Sequence, residues 1–586
     1  MGKNRLAAAA AAFSVLGLAL TGCSPEERPG PEQSVASLAE GLSRLDVTGN
    51  EFAGSTVEAV NGMLEYEVAG MNINPSVTVA KIDEVSSNEA VATLKYVWDV
   101  NASPEDFSYE TTVTLERGPD TGWQTRFRST TVHPDLLPGQ RLVRKASPPP
   151  RADILGAGGS VLMRHWPVWR VGLDKSVLGA HEYASSVFYL SLYLGLDADA
   201  LAAKVQAAGP DAFVDVVTVR QDKVSPAFET DIATIPGAAA LAERRVLAPS
   251  PGFAAALLGS VGPATEEMAA DGPLAKGDLA GLSGLQGEYD SQLRGSDAVT
   301  VRILDSDNSA SAPLFEAPSE PGTALQTTLD PGIQSRADAV LADSPGASLV
   351  AVQPSTGNVL AVAGGTGTDG TQPALLGEFS LGTGFEPVNA LARLRSGGSG
   401  AADAAALSAA AQSLGLGLTS GLGTQAFYGA VQNGSDGAQQ AGALAGGEVL
   451  ASPLAAAVAA ATVARGELVS PVLVLNTEEP GGEGVGTPPS GTDAAPAISA
   501  EEATSLRSAL RANVADAVDG DAVGALQSVS GGPVLAAAGT AETDGEKAGF
   551  GWVTAVQGDV ALAVFVQGSS TDSAALAAAF LEGLAG

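Results

Sequence analysis

Covalent group transfer needs a nucleophile with a base in hydrogen-bond reach, and this 586-residue chain holds few side chains that could supply the pair. The lysines are Lys3, Lys81, Lys95, Lys145, Lys175, Lys204, Lys223, Lys276 and Lys547. None follows a serine by three residues, the spacing that sets a hydroxyl and an amine on one helix face. Thr78 stands three residues before Lys81, but the alternation there reads as a strand, where that spacing does not put the pair on one face. The histidines are His133, His165 and His181, so the chain beyond them has no Ser-His pair. The carboxylates are scattered without metal-ligand spacing, and a single cysteine excludes both a metal-thiolate site and an intrachain disulfide. No metal and no cofactor is expected. Gly364-Gly365-Thr366-Gly367 lacks the lysine of a phosphate loop and reads as a turn.

The lone cysteine is explained by its position. Lys3 and Arg5 precede an apolar run from Leu6 to Leu20, which is followed by Leu20-Thr21-Gly22-Cys23 and then by the polar Ser24-Pro25-Glu26-Glu27. A basic start, a short apolar stretch and small residues before a cut site make a signal peptide, and the run is short for a spanning helix. Leu-Thr-Gly-Cys resembles a bacterial lipobox. That resemblance implies cleavage before Cys23, a lipid on its thiol, and a chain held by that anchor at the extracytoplasmic face of the membrane. Residues 1–23 are thus read as a signal peptide and 24–34 as a tether.

The chain is too long for one hydrophobic core, and three or four domains are expected. Its composition, 45% hydrophobic and 17% charged, is globular. A formal net charge of -35 repels phosphate backbones, which argues against a nucleic-acid partner. Helical patterns at Val35–Leu45 and Thr56–Val68 precede strand-like alternation at Ser76–Val85, Ala90–Val100 and Tyr109–Arg117. Pro148-Pro149-Pro150 marks a boundary and Asp305–Gly322 a Ser/Pro/Asp linker. Beyond the linker, a helical pattern runs to Leu341. Apolar runs at Ala347–Gln353 and Asn358–Ala363 flank the turn residues Pro354-Ser355-Thr356-Gly357. Ser499 and Glu502 form a capping-box pattern, opening a helix with Leu506, Leu510, Val514 and Val518 on one face. Thr477–Pro496 reads as a mobile insertion. Strands at Gly549–Val556 and Ala561–Gln567 and a helix at Ser573–Leu584 close the chain.

Several of these segments resemble class B penicillin-binding proteins. Arg151-Ala152-Asp153-Ile154 with Gly158-Gly159 resembles the opening of their pedestal, or dimerisation, domain, with Gly156-Ala157 where the family has an Asp-Arg pair. Gly262-Pro263-Ala264-Thr265, Gly281-Leu282-Ser283-Gly284-Leu285-Gln286, Tyr289-Asp290 and Leu293-Arg294-Gly295 form the most specific series. The resemblance implies a multidomain α+β protein. An NTF2-like α+β domain is expected over 35–142, a pedestal over 148–304 and a linker over 305–322. A serine-transpeptidase (β-lactamase-like) α/β domain with a central antiparallel sheet is expected over 323–586.

The same resemblance assigns the positions where that family does its chemistry. Its serine nucleophile and lysine base fall here on Thr383 and Glu386, within Phe379-Ser380-Leu381-Gly382-Thr383-Gly384-Phe385-Glu386-Pro387-Val388. Glu386 inverts the charge that would activate an alkoxide. Thr383 keeps a hydroxyl but adds a methyl that restricts it. Carboxylates ionise near ~4 and match a hydroxyl poorly as bases. The family's Ser-x-Asn falls near Ala402-Asp403-Ala404, leaving alanine at both functional positions. Its Lys-Thr-Gly strand reads Ala537-Ala538-Gly539, followed by Thr540-Ala541-Glu542, so the strand is kept while its ammonium and first hydroxyl are lost. Removing a serine protease's nucleophile or base alone lowers kcat by about 10⁶. Loss of all three motifs implies no catalytic residues, no anchor for a β-lactam carboxylate, and a pseudoenzyme with a scaffold or partner role in peptidoglycan synthesis. The alternatives are an active D,D-transpeptidase working through Thr383 and a non-covalent binder of peptidoglycan stem peptides. Cell-envelope synthesis proteins, stem peptides and, through the anchor, the membrane are the partners these readings imply.

Overall fold

A computed structural model describes residues 30–584 except 102–103, 119–121, 180, 271–273, 275, 369–370, 398–403, 418–420, 432–448, 476–496 and 542–548. Cys23, Ala402 and the Thr477–Pro496 stretch lie outside the described residues. The chain divides into two compact units. One holds Met1–Val100, Glu105–Arg144 and Val301–Phe315; the other holds Asn101–Pro104, Lys145–Thr300 and Glu316–Gly586.

In the first unit, helix Glu32–Arg44 buries Val35, Leu38, Ala39 and Leu42, an i, i+3, i+4, i+7 stripe. Thr56 caps helix Val57–Val68 by accepting the Ala59 N–H. A four-stranded antiparallel sheet follows in chain order: Ser76–Ser86, Glu89–Trp98, Phe107–Arg117 and Trp123–Arg126. Along Glu89–Trp98 the residues Ala90, Ala92, Leu94, Tyr96 and Trp98 are buried in strict alternation, the period-2 pattern of a strand with one covered face. The buried aromatics keep their polar ends satisfied. Trp98 Nε1 donates to the Tyr109 hydroxyl (3.0 Å), which donates to the Val132 carbonyl (2.8 Å). Burial pushes the phenols of Tyr96 and Tyr109 up and His133 down. The Ser/Pro/Asp stretch that reads as a linker contributes a bridge between Leu304 and Ala310 and the strand Phe315–Ala317.

The second unit begins with a long strand, Val161–Asp174, that pairs antiparallel with both Phe213–Arg220 and Ala238–Leu247. Helices Tyr183–Leu194, Ala198–Ala207 and Phe228–Ala233 share a core with that sheet. The glycine- and charge-bearing series at 281–295 has a structural reason. Arg151 is buried and reaches Asp290 (2.7 Å), the Gln286 side chain (2.6 Å) and the Gln286 carbonyl (2.8 Å). Asp290 also accepts the Gly281 N–H at 2.6 Å and meets Arg294 at 3.2 Å. A buried charge holds only when paired and hydrogen-bonded, which fixes several residue types at once. Gly281 is required as well: a Cβ there would fall 1.8 Å from the Gln286 carbonyl oxygen.

The same unit's C-terminal part is a five-stranded antiparallel sheet in the order Val359–Gly364, Ser348–Val352, Val560–Gln567, Phe550–Gln557, Leu535–Ala541. Both faces are covered. Along Val560–Gln567, Ala561, Ala563 and Phe565 join one core with the Ala-rich helix Pro453–Arg465. Leu562, Val564 and Val566 join the other, with helices Pro331–Leu341 and Ser570–Glu582. Two-sided burial accounts for the continuous apolar run in the sequence. Each fully buried large side chain, Phe565 among them, contributes about 1.5–3 kcal/mol. Alanines along Pro453–Arg465 keep that helix's side chains short, and ten of its thirteen residues are buried. The capping box at Ser499 and Glu502 forms. Of the stripe expected behind it, Leu506, Leu510 and Val514 are buried, but Val518 is exposed. The helix stops at Ala515 because the backbone leaves helical geometry at Asp516. The expected multidomain α+β class, with a central antiparallel sheet at the C-terminal end, is the one observed.

Candidate functional site

Aromatic packing brings the region of Thr383 to the sheet. Strand Phe379–Ser380 pairs with Val449–Ala451, which pairs in turn with Ala430–Val431. The Phe379 ring stacks on Phe565 with centroids 3.9 Å apart, and Trp552 Nε1 donates to the Ser380 carbonyl at 2.8 Å. The chain then makes a single 3₁₀ turn, Gly382–Phe385, and enters helix Glu386–Arg395.

Two glycines allow this turn to touch the sheet edge. Gly382 has φ 51°, and a Cβ on it would sit 2.0 Å from the Thr540 carbonyl oxygen. Across the gap, a Cβ on Gly539 would meet the Gly384 nitrogen at 1.9 Å. The turn and strand Leu535–Ala541 therefore approach backbone to backbone, with no room for side chains between. The Thr540 N–H donates to Thr383 Oγ1 at 2.8 Å, and the hydroxyl lies 3.4 Å from the Thr540 carbonyl.

Thr383, Gly539 and Thr540, taken from separate motifs of the sequence, are thus brought together. Ala537 lies two residues before Gly539, is buried, and belongs to the apolar cluster that includes Leu381 and Val388. Ala538, on the alternate side of the strand, packs partly buried against the other core. Ala404 opens helix Ala404–Ser413. Glu386 begins its helix and forms an ion pair with Arg393, with both side chains about half exposed. Arg393 was not singled out by sequence reasoning. Its i+7 spacing from Glu386, two turns along one face, is the signal that could have found it. Arg395, at the end of this helix, bonds Glu502 (2.8 Å) and Ser413 (2.8 Å). Its guanidinium, together with the capping bonds at Ser499, holds the Glu502 carboxyl down at about 2. Beneath the turn lies an apolar cavity of about 30 Å³ bordered by Leu381, Gly384, Val388, Leu416 and Val463, room for no more than a water or two.

The chemistry open to this arrangement is narrow. The Thr383 oxygen accepts a backbone N–H, and the ionisable group one turn away is a carboxylate held by an arginine. No ammonium meets the hydroxyl among the described residues; the sole lysine beyond residue 276, Lys547, lies outside them.

A family model for the penicillin-binding protein dimerisation domain matches residues 146–327, and one for the penicillin-binding protein transpeptidase domain matches residues 399–584. The chain belongs to the class B penicillin-binding proteins. Among solved structures, a complex between the penicillin-binding protein PBP2 and MreC from Helicobacter pylori is similar. It is 16% identical, covers 76% of this chain and 99% of that one, and has a TM-score of 0.50, a likeness of fold. No curated protein matches the chain in sequence. The transpeptidase-domain match begins downstream of Thr383 and Glu386. Among the described residues no helix is long and apolar enough to cross a membrane. Membership of the penicillin-binding proteins points to the extracytoplasmic cell envelope.

Proposed function

We propose that this penicillin-binding protein is a catalytically inactive transpeptidase homologue, tethered by a lipid on Cys23, that serves peptidoglycan synthesis as a scaffold or partner. The observation that carries this reading is the pairing around Thr383. Its hydroxyl accepts the Thr540 N–H, while Glu386, at the position where an amine would take the proton, is engaged by Arg393. With no base meeting it among the described residues, and with a carboxylate at the position of the amine, the hydroxyl has no means of becoming an alkoxide. Ala537 and Ala538 supply neither charge nor hydroxyl to hold a substrate carboxylate. What supports a partner role is retention of the fold without the chemistry, together with a structural neighbour solved as a complex of PBP2 with MreC.

The test is labelling of the purified protein by a fluorescent penicillin, with a functional penicillin-binding protein as control and a Thr383→Ala variant alongside. No covalent label is expected at probe concentrations that saturate the control. A label present in the wild type and absent from Thr383→Ala would overturn the reading and make Thr383 a working nucleophile.

A further inference from the structure

A cavity of about 290 Å³ lies away from Thr383, walled by the Pro251–Leu257 segment, helix Pro331–Leu341, the end of strand Val359–Gly364 and the start of helix Pro373–Leu376. Its surface is mostly apolar, with Leu257, Val362 and Pro373 among its walls. Two polar groups stand out. Asp338 presents a carboxylate, of whose roughly four acceptor positions two are used: one by the Ala254 N–H (3.1 Å) and one by Gln334 Nε2 (2.9 Å). Gln372 presents a side-chain carbonyl oxygen that is buried and has no hydrogen-bond partner among the described residues. Both groups accept and neither has its capacity filled. A buried acceptor left unpaired costs about 1–3 kcal/mol, which a ligand supplying donors would recover.

The site is also held under strain. Ala254 adopts φ 43° and ψ 34°, the left-handed region that a residue with a Cβ seldom occupies. Its N–H is the group that Asp338 fixes. Asp338 in turn is steadied by Gln334, whose side chain exchanges two hydrogen bonds with the Val362 backbone (2.9 and 2.8 Å). The carboxylate is therefore positioned by three separate elements, and strained backbone kept in place this way tends to mark functional sites.

We propose that this cavity binds a primary ammonium carried on a short aliphatic stem, with the ammonium between Asp338 and Gln372 and the stem along Leu257 and Val362. Among the described residues that border the cavity, Asp338 is the one charged side chain, so an anion finds no counter-charge and a neutral apolar ligand leaves both acceptors unmet. The shared chemistry fits a free amine or the side chain of a lysine-like residue in a peptide. This inference does not depend on whether Thr383 is reactive.

The test is isothermal titration calorimetry at pH 7.5 of the full chain with two probes, 1,5-diaminopentane and Nα-acetyl-lysine methylamide, and with pentan-1-ol as the neutral control. Saturable one-to-one binding of at least one amine is expected, with no binding of the alcohol. Binding of the diamine alone identifies a free amine as the ligand, and binding of the lysine amide identifies a peptide side chain; either supports the site. Asp338→Asn, which keeps an oxygen for the Ala254 N–H, should weaken binding about tenfold or more. Ala256→Leu, which fills the cavity from its rim without touching the charge, should abolish it. Affinity in the wild type should also fall as pH drops through about 6, where burial places the Asp338 ionisation. Absence of saturable heat with both amines, undiminished affinity in Asp338→Asn, or equal binding of pentan-1-ol would overturn the proposal.

Discussion

On the proposed reading, Thr383 keeps the hydroxyl of a lost nucleophile without the groups that would activate it. The residue now works as a structural acceptor: its Oγ1 takes the Thr540 N–H across the contact that Gly382 and Gly539 make possible. Asp338 shows the opposite situation, a charge kept where it is energetically unfavourable. Burial raises its carboxyl from 3.8 to about 6, against the lowering effect of the Ala254 N–H and Gln334. Because the folded value lies above the unfolded one, stability from this group is full below about 3.8 and is lost as pH rises through about 6. A shift of roughly two units corresponds to about 3 kcal/mol at most. Asp338→Asn in the ligand-free protein is therefore expected to raise Tm at pH 7.5 relative to wild type, with the difference shrinking toward pH 4. Thermal unfolding followed by circular dichroism at the two pH values checks it; a variant less stable than wild type at both would contradict this account of the buried charge.

Between elements, the join that the sequence hid most completely is the ion pair of Arg395 with Glu502. The sequence marks Glu502 as half of a capping box, and the structure gives it that role. It also makes Glu502 the anchor for the helix Glu386–Arg395, more than a hundred residues earlier. The partly buried pair lowers the Glu502 carboxyl from 4.5 to about 2. A depressed carboxyl stabilises above its unfolded value and loses that contribution as pH falls from about 4.5 through about 2. Glu502→Gln should cost about 1–2 kcal/mol at pH 7, less than the full shift because both side chains keep some solvent, and close to nothing near pH 2. Urea unfolding at the two pH values measures it, and an equal loss at both would mean that packing rather than charge carries the effect. The capping box was legible because it is local, four residues whose types suffice. The Arg395 partner was not, because no periodicity links residues so far apart. Val518 failed for a related reason: the periodic pattern continued past Ala515, but the backbone did not.

Across the whole molecule, the proposed scaffold role requires a protein held at the envelope surface while its transpeptidase fold presents contacts instead of chemistry. Anchoring is then a requirement for function, and it falls on one atom, the Cys23 thiol. Cys23→Ser is expected to abolish incorporation of labelled palmitate and to move the protein from the membrane to the soluble fraction, since an acyl chain contributes about 0.8 kcal/mol per buried CH₂. Membrane retention of the variant would place the anchor elsewhere in the chain. The net charge of -35 acts at the same scale: it disfavours adsorption to anionic lipid, so that attachment would rest on the proposed acyl group.

Composition, periodicity and residue inventory alone determined a good deal. They excluded a Ser-His pair beyond residue 181 and an intrachain disulfide and located the helices and strands of both ends of the chain, while it was the resemblance to the penicillin-binding family that named Thr383, Glu386 and the Ala537–Thr540 strand as the positions to examine. These are properties of residue type and local spacing, which the linear chain carries in full. The tertiary structure decided which of those positions meet. It set Gly539 against Gly384, joined Arg395 to Glu502, buried Arg151 against Asp290, and brought Asp338 and Gln372 to the wall of one cavity. Each of these depends on how elements distant in sequence pack, and packing is set by shape and burial summed over the whole core, which no single window of sequence contains.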